Sequence, residues 1–133
     1  MKSKSVLIDG YQSVIDNGRS HSVVVDLPKQ SSGNDSGATA LELTLMSLSG
    51  CISTIYKKVA DRMRINIESL EVNMEADKGE ETFDRVRYNV KVTFDAPTDK
   101  LEKCLELTEK SCPVGVLFSR AGVTLEGTIS KNS

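Results

Sequence analysis

Three cysteines are the side chains best suited to chemistry in this 133-residue sequence: Cys51, Cys104 and Cys112. An odd count without close spacing argues against a secreted disulfide framework. It leaves two kinds of free thiol, small buried hydrophobes and reactive nucleophiles. Cys51 follows Gly50 in the run Ser47-Leu48-Ser49-Gly50-Cys51, which surrounds the thiol with small and hydroxylated residues. A glycine inside a helix costs roughly 1 kcal/mol against alanine, so Gly50 marks close packing or room for something bulky. Cys112 directly precedes Pro113 at the start of a helical segment. Free N–H groups at a helix start favour a thiolate there. Each has a plain counterpart, an inert Cys in a close helix contact or at a helix break. Cys104 falls on the apolar face of its helix and reads as core.

Other chemistries fare worse. The single histidine, His21, stands beside Arg19 and Ser20 at the start of a strand and reads as a surface residue. No two of the cysteines and His21 have the short spacing of a zinc motif, so no metal is expected. There is no Gly-x-Ser-x-Gly elbow, and Gly33 and Gly37 lie in a polar loop without a phosphate-loop pattern. Lys and Arg number 17 against 19 Asp and Glu, so no excess of positive charge follows a phosphate backbone and no nucleic-acid partner is expected. No apolar run approaches the roughly 20 residues that span a bilayer, and Val6-Leu7-Ile8 is too short for a secretory signal core. The expectation is a cytoplasmic protein with no membrane association. Its length and 38% hydrophobic content suit one domain, residues 1–133.

The elements that must position the thiols follow from periodicity. Ser5 to Val14 reads as one strand, Asn17-Gly18 as a tight turn, and His21 to Leu27 as the returning strand. Residues 28–37, rich in Ser, Gly and Asn, read as a mobile surface loop. Leu41, Leu45, Leu48, Ile52, Ile55, Val59 and Met63 recur at helical steps over some six turns. The first half of this helix carries one charge, Glu42, and is expected to be buried on several sides. Ile65–Ala76 and Phe83–Phe94 alternate as strands. Thr98 or Asp99 is expected to cap a second helix, with Glu102 completing a capping box. In that helix Leu101, Cys104, Leu105 and Thr108 share a face. Pro113 begins a further helical segment, and Val123 to Ile129 is the last strand. The order β-β-α-β-β-α-β predicts an α+β fold with antiparallel sheets.

The run from Gly37 through Leu41-Glu42-Leu43 to Gly50-Cys51 resembles the central-helix signature of the OsmC/Ohr family. Cys112-Pro113-Val114, followed by Gly122 to Glu126, resembles that family's second cysteine segment and final strand. The resemblance covers nearly the whole chain. It implies an OsmC-like fold in which antiparallel sheets wrap long central helices in an intertwined homodimer. It implies reduction of organic hydroperoxides without a cofactor, with Cys51 as peroxidatic nucleophile, Cys112 as resolving thiol and an external dithiol as reductant. It also implies an arginine from the N-terminal strands paired with an acid ahead of the nucleophile. The family position of that acid holds Leu41, with Glu42 next to it, and Arg19 is the only arginine before the helix. Glu42 lies nine residues before Cys51, which on a straight helix is about 13 Å along the axis and on the opposite side. The alternative role for Glu42 is stabilising the helix N-terminus. Leu41, Leu45, Met46 and Phe118 are candidates for apolar pocket walls. A non-catalytic dimeric module of the same fold, binding a small apolar ligand, is the rival expectation.

Overall fold

The computed structural model describes residues 1–132, which form two compact units, one of residues 1–46 and one beginning at Ser47. The first unit is built on a three-stranded antiparallel sheet of β1 (Lys4–Asp9), β2 (Gln12–Asp16) and β3 (Ser22–Val25). The stretch read from sequence as one strand is two. The chain reverses at Gly10-Tyr11, with Gly10 at φ +53°, so that Asp9 pairs with Gln12. The Asn17-Gly18 turn is also longer than expected, since Asp16 pairs with Ser22 across residues 17–21. Side chains organise it: Asn17 Oδ1 accepts the N–H of Arg19, and Asp16 Oδ1 accepts that of Gly18.

The polar loop after β3 folds around one buried carboxylate. Asp26 is 1% exposed. Its Oδ1 accepts the Leu27 N–H at 2.7 Å, and its Oδ2 accepts those of Asn34 and Ser36 at 3.2 and 3.0 Å. A carboxylate accepting several backbone N–H groups satisfies donors that the loop would otherwise leave unpaired. One 3₁₀ turn forms at Lys29–Ser31, and Val25 bridges to Ala38. Gly33 is required by close approach, because a Cβ there would lie 1.9 Å from the Leu27 carbonyl oxygen.

Helix α1 (Ala40–Arg62) follows. Thr39 and Glu42 form a reciprocal capping box at its start. Its end turns through Arg64 at φ +57°, and Ile65 N–H closes back on the Ala60 carbonyl.

The second unit holds the main core. Strand β5 (Phe83–Phe94) is central, antiparallel to β4 (Ile67–Lys78) on one side. On the other side it pairs in parallel with β6 (Thr124–Lys131), a departure from the all-antiparallel expectation. The physical reason is the connection: α2 (Thr98–Ser111) and α3 (Pro113–Arg120) supply a helical crossover, which a parallel pair needs. Val86, Tyr88, Val90, Val92 and Phe94 of β5 are buried, while Arg85, Arg87 and Lys91 face solvent, as the alternation predicts. Arg87 makes a bidentate pair with Asp77 on that wet face, at 2.6 and 2.8 Å. Leu48, Ile52, Tyr56, Val59 and Ala60 of α1 and Leu101, Cys104, Leu105 and Thr108 of α2 complete the core. The expected cap of α2 is absent. The helix already begins at Thr98, which puts Thr98 and Asp99 inside its first turn; Pro97 occupies the N-cap and no side chain caps the helix.

Backbone N–H bonds hold the Asp26 carboxyl below its ordinary value of 3.8. A group whose folded pKa is depressed stabilises the fold above its unfolded pKa, and that stability is lost as pH falls through the folded value. Asp26→Ala is expected to lower the melting temperature by several degrees at neutral pH, with the difference shrinking below about pH 4. Thermal melts across that range, with limited proteolysis of residues 27–37, check it.

Candidate active site

Cys51 and Cys112 come together within the second unit, with their sulfurs 2.9 Å apart. Local sequence explains how. Pro113 disfavours helical geometry in the residue before it, so Cys112 is extended at φ −73°, ψ 109°. That single residue ends α2, its N–H bonding the Thr108 carbonyl, and starts α3, its carbonyl accepting from Val116. The break directs Cys112 Sγ at α1, where Cys51 stands one position before the buried Ile52.

The two thiols have different surroundings. Cys51 is half-buried and Cys112 is 1% exposed. Cys112 Sγ donates to Cys51 Sγ and accepts the Gly115 N–H at 3.3 Å. The N-terminal amides of α3 favour a thiolate, as the sequence suggested, but they are outweighed. Burial first, and the Cys51 contact second, push the Cys112 thiol up to about 11. Cys112 therefore carries a proton at neutral pH, and the more accessible Cys51 is the sulfur presented to an incoming molecule. A disulfide needs the sulfurs at about 2.05 Å, a sub-ångström closure from the present contact.

The other predicted residues are placed differently. Cys104 is fully buried with its thiol toward the Tyr56 carbonyl at 3.6 Å, and burial raises its pKa, as suits a core cysteine. His21 is exposed in the β2–β3 turn with its Nδ1 against Asn17 Nδ2. Glu42 is engaged in the capping box, and the Thr39 N–H and hydroxyl hold its carboxyl below the ordinary value. Arg19 is exposed in the same turn as His21. Glu42 and Arg19 both belong to the first unit, and the cysteines to the second. Phe118, suggested as a pocket wall, is core: it is 5% exposed and stacks on Phe83 with ring centroids 6.1 Å apart. Leu41 and Leu45 are half-buried and Met46 is 54% exposed. Among the described residues, no three His, Cys, Asp or Glu side chains gather as metal ligands would. None of the described helices is long and apolar enough to cross a membrane.

A cavity of about 170 Å³ adjoins Cys112, lined also by Ile52, Tyr88, Glu109, Ser119 and Leu125. Sequence reading did not single out Tyr88 or Glu109. The available signals were an isolated glycine, Gly127, inside a strand and a tyrosine on the buried face of β5, whose hydroxyl needs a partner.

Residues 33–127 match the family of OsmC-like proteins, and the chain belongs to that family. Solved structures share its fold. It resembles an OsmC-like protein from Mycoplasma pneumoniae with a TM-score of 0.87 at 14% identity, covering 99% of this chain and 96% of that one. An organic hydroperoxide resistance protein from Legionella pneumophila gives 0.71 at 14% identity, covering 97% and 95%. One from Elizabethkingia anophelis, with thiocyanate bound, gives 0.73 at 18% identity, covering 98% and 94%. No curated protein sequence matches the chain.

A raised thiol pKa fixes an expected reactivity. Alkylation of the folded protein by iodoacetamide should label Cys51 first, with Cys112 labelling rising continuously from neutral pH towards about 11. Stability should follow the same group with the opposite slope. A folded pKa above the unfolded 9.0 stabilises below pH 9 and is lost as pH rises towards 11. Site-resolved mass spectrometry of alkylated peptides checks the first point and melts at alkaline pH the second.

Proposed function

We propose that this protein is a thiol-dependent peroxidase for organic hydroperoxides, with Cys51 as nucleophile and Cys112 as resolving thiol. The observation that carries the reading is the 2.9 Å contact between a half-buried sulfur and a buried one. The Cys51 thiolate attacks the distal peroxide oxygen, the O–O bond breaks, and the alkoxide leaves as an alcohol after protonation. Cys51 is then a sulfenic acid. Cys112 sulfur attacks Cys51 sulfur, hydroxide leaves with a proton as water, and a disulfide remains. An external dithiol reduces it by two exchanges, becoming a disulfide itself. No cofactor enters this scheme. The relatives named as organic hydroperoxide resistance proteins support the substrate class.

The same reading makes the chain one OsmC-like domain, supported by a family match that begins in the first unit and runs through the second. It makes the protein a homodimer. Leu7, Ile8 and Tyr11 in the first unit and Leu117 in the second are each more than half exposed. Nothing lies within 4 Å of where a Cβ on Gly50 would sit, which leaves that part of α1 open to a second copy. Three free thiols suit a reducing compartment such as the cytoplasm. Arg19 and Glu42 are proposed as contributors to peroxide reduction, and Glu42 also caps α1.

The test is turnover of cumene hydroperoxide with dithiothreitol. Wild type should cycle, Cys51→Ser should lose all activity, and Cys112→Ser should consume about one equivalent and stall. Arg19→Ala should lower kcat/KM, whereas Glu42→Gln, which keeps one capping acceptor, separates catalysis from helix stability. An inert wild type whose thiols survive the peroxide would leave the non-catalytic, ligand-binding module as the reading.

A further inference from the structure

A buried resolving thiol has a proton problem. When the disulfide is reduced by attack at the exposed Cys51 sulfur, the S–S bond breaks and its electron pair leaves on Cys112 Sγ. That sulfur is 1% exposed, in surroundings that disfavour the thiolate. A proton must reach it from solvent, and on oxidation a proton must depart.

The cavity beside Cys112 holds the groups for this. Tyr88 on β5 is 4% exposed and its hydroxyl donates a short hydrogen bond to Glu109 Oε1 on α2. Tyr88, Glu109, Cys112 and Ser119 all border the same cavity of about 170 Å³. A water's share of volume is about 30 Å³, so the space takes several waters with polar partners on different walls. Glu109 itself is exposed and also lines an open groove of about 340 Å³ with Glu102, Glu106 and Thr128. Its carboxyl thus borders both solvent and the Cys112 cavity. Gly127 of β6 makes the pairing sterically possible. A Cβ there would lie 2.3 Å from the Tyr88 ring, 2.4 Å from its hydroxyl and 2.7 Å from Glu109 Oε1.

We propose that Glu109 and Tyr88 form a proton conduit between solvent and the buried Cys112 sulfur. This rests on the thiol-pair reading above and assigns it two positioning residues that act through the cavity. In the reductive step, an external thiolate bonds to Cys51 sulfur and Cys112 leaves as thiolate. A proton passes to it from a cavity water held by the Tyr88 hydroxyl, and Glu109 passes a solvent proton to that water. In the oxidative step the direction reverses. Glu109 is the carboxylate that lines both the groove and the cavity. Glu106 is held by Lys103 and Lys110, and Glu102 faces the outer groove. β6 presents uncharged Gly127 and Thr128, α1 presents Ile52, and α3 presents Ser119.

The experiment separates the conduit from peroxidase activity by using diamide, an azo oxidant that converts dithiols to disulfides. Wild type, Glu109→Gln and Tyr88→Phe are oxidised with diamide, and reduction by dithiothreitol is followed from about pH 6 to about pH 9. Glu109→Gln keeps an acceptor for the tyrosine hydroxyl but cannot relay a proton, and Tyr88→Phe keeps the ring. Both are expected to reduce about a hundredfold more slowly than wild type at neutral pH, with a deficit that changes with pH. Glu109→Asp should recover part of the rate. A variant-to-wild-type ratio near one, or a deficit constant across pH, would make the pair mere packing and overturn the conduit. Wild type that forms no disulfide in diamide overturns the thiol pair and the conduit together. Wild type that passes this test but consumes no peroxide overturns the peroxidase reading alone.

Discussion

The second unit is arranged around one short contact, the approach of Cys112 sulfur to Cys51 sulfur at 2.9 Å. Two helices must meet there at a fixed depth. Helix α1 sets one side by burying Leu48, Ile52 and Tyr56 at helical spacing, which leaves Cys51 at the margin of that buried stripe. The proline break sets the other, since Cys112 is tied to both α2 and α3 by backbone hydrogen bonds. Neither thiol sits on a loop free to drift. A rigid placement of this kind lowers the cost of bringing two reacting atoms together, because orientation is fixed by folding rather than at the moment of reaction.

The asymmetry of the pair matters as much as its closeness. Two equally exposed thiols would compete for an oxidant. Here burial penalises the charged form of Cys112 and keeps its proton, while Cys51 remains accessible. The consequence is a burden elsewhere. A buried sulfur that alternates between thiol and disulfide needs a path for its proton, and the Tyr88–Glu109 pair over Gly127 occupies the cavity through which one would run.

Much of this was legible in the residues. The helical period of α1, the alternation of β5 and the shared face of Leu101, Cys104, Leu105 and Thr108 all follow from side-chain spacing, and the cysteine segments identified the family. What was hidden depended on long-range partners. Asp26 looks like one more polar residue before Pro28, yet it collects three backbone N–H groups from a loop that composition alone marks as mobile. The parallel pairing of β6 depends on the route of a crossover, not on the strand itself. Gly10-Tyr11 divides a run that seemed continuous because its apolar residues alternate only loosely. The helix start at Cys112 favours a thiolate, but desolvation by neighbours remote in sequence is the larger effect and reverses that expectation. Glu42 and Thr39, by contrast, carry a reciprocal cap that the Thr-x-x-Glu spacing already contains.

The most direct measurement is a single-equivalent titration. Fully reduced protein is mixed with one equivalent of cumene hydroperoxide and no reductant, free thiols are counted, and peptides are mapped by mass spectrometry. The account predicts loss of two of the three thiols, a peptide pair cross-linked through Cys51 and Cys112, and an intact Cys104. Survival of all three thiols, or oxidation of Cys51 with no cross-link to Cys112, would contradict it.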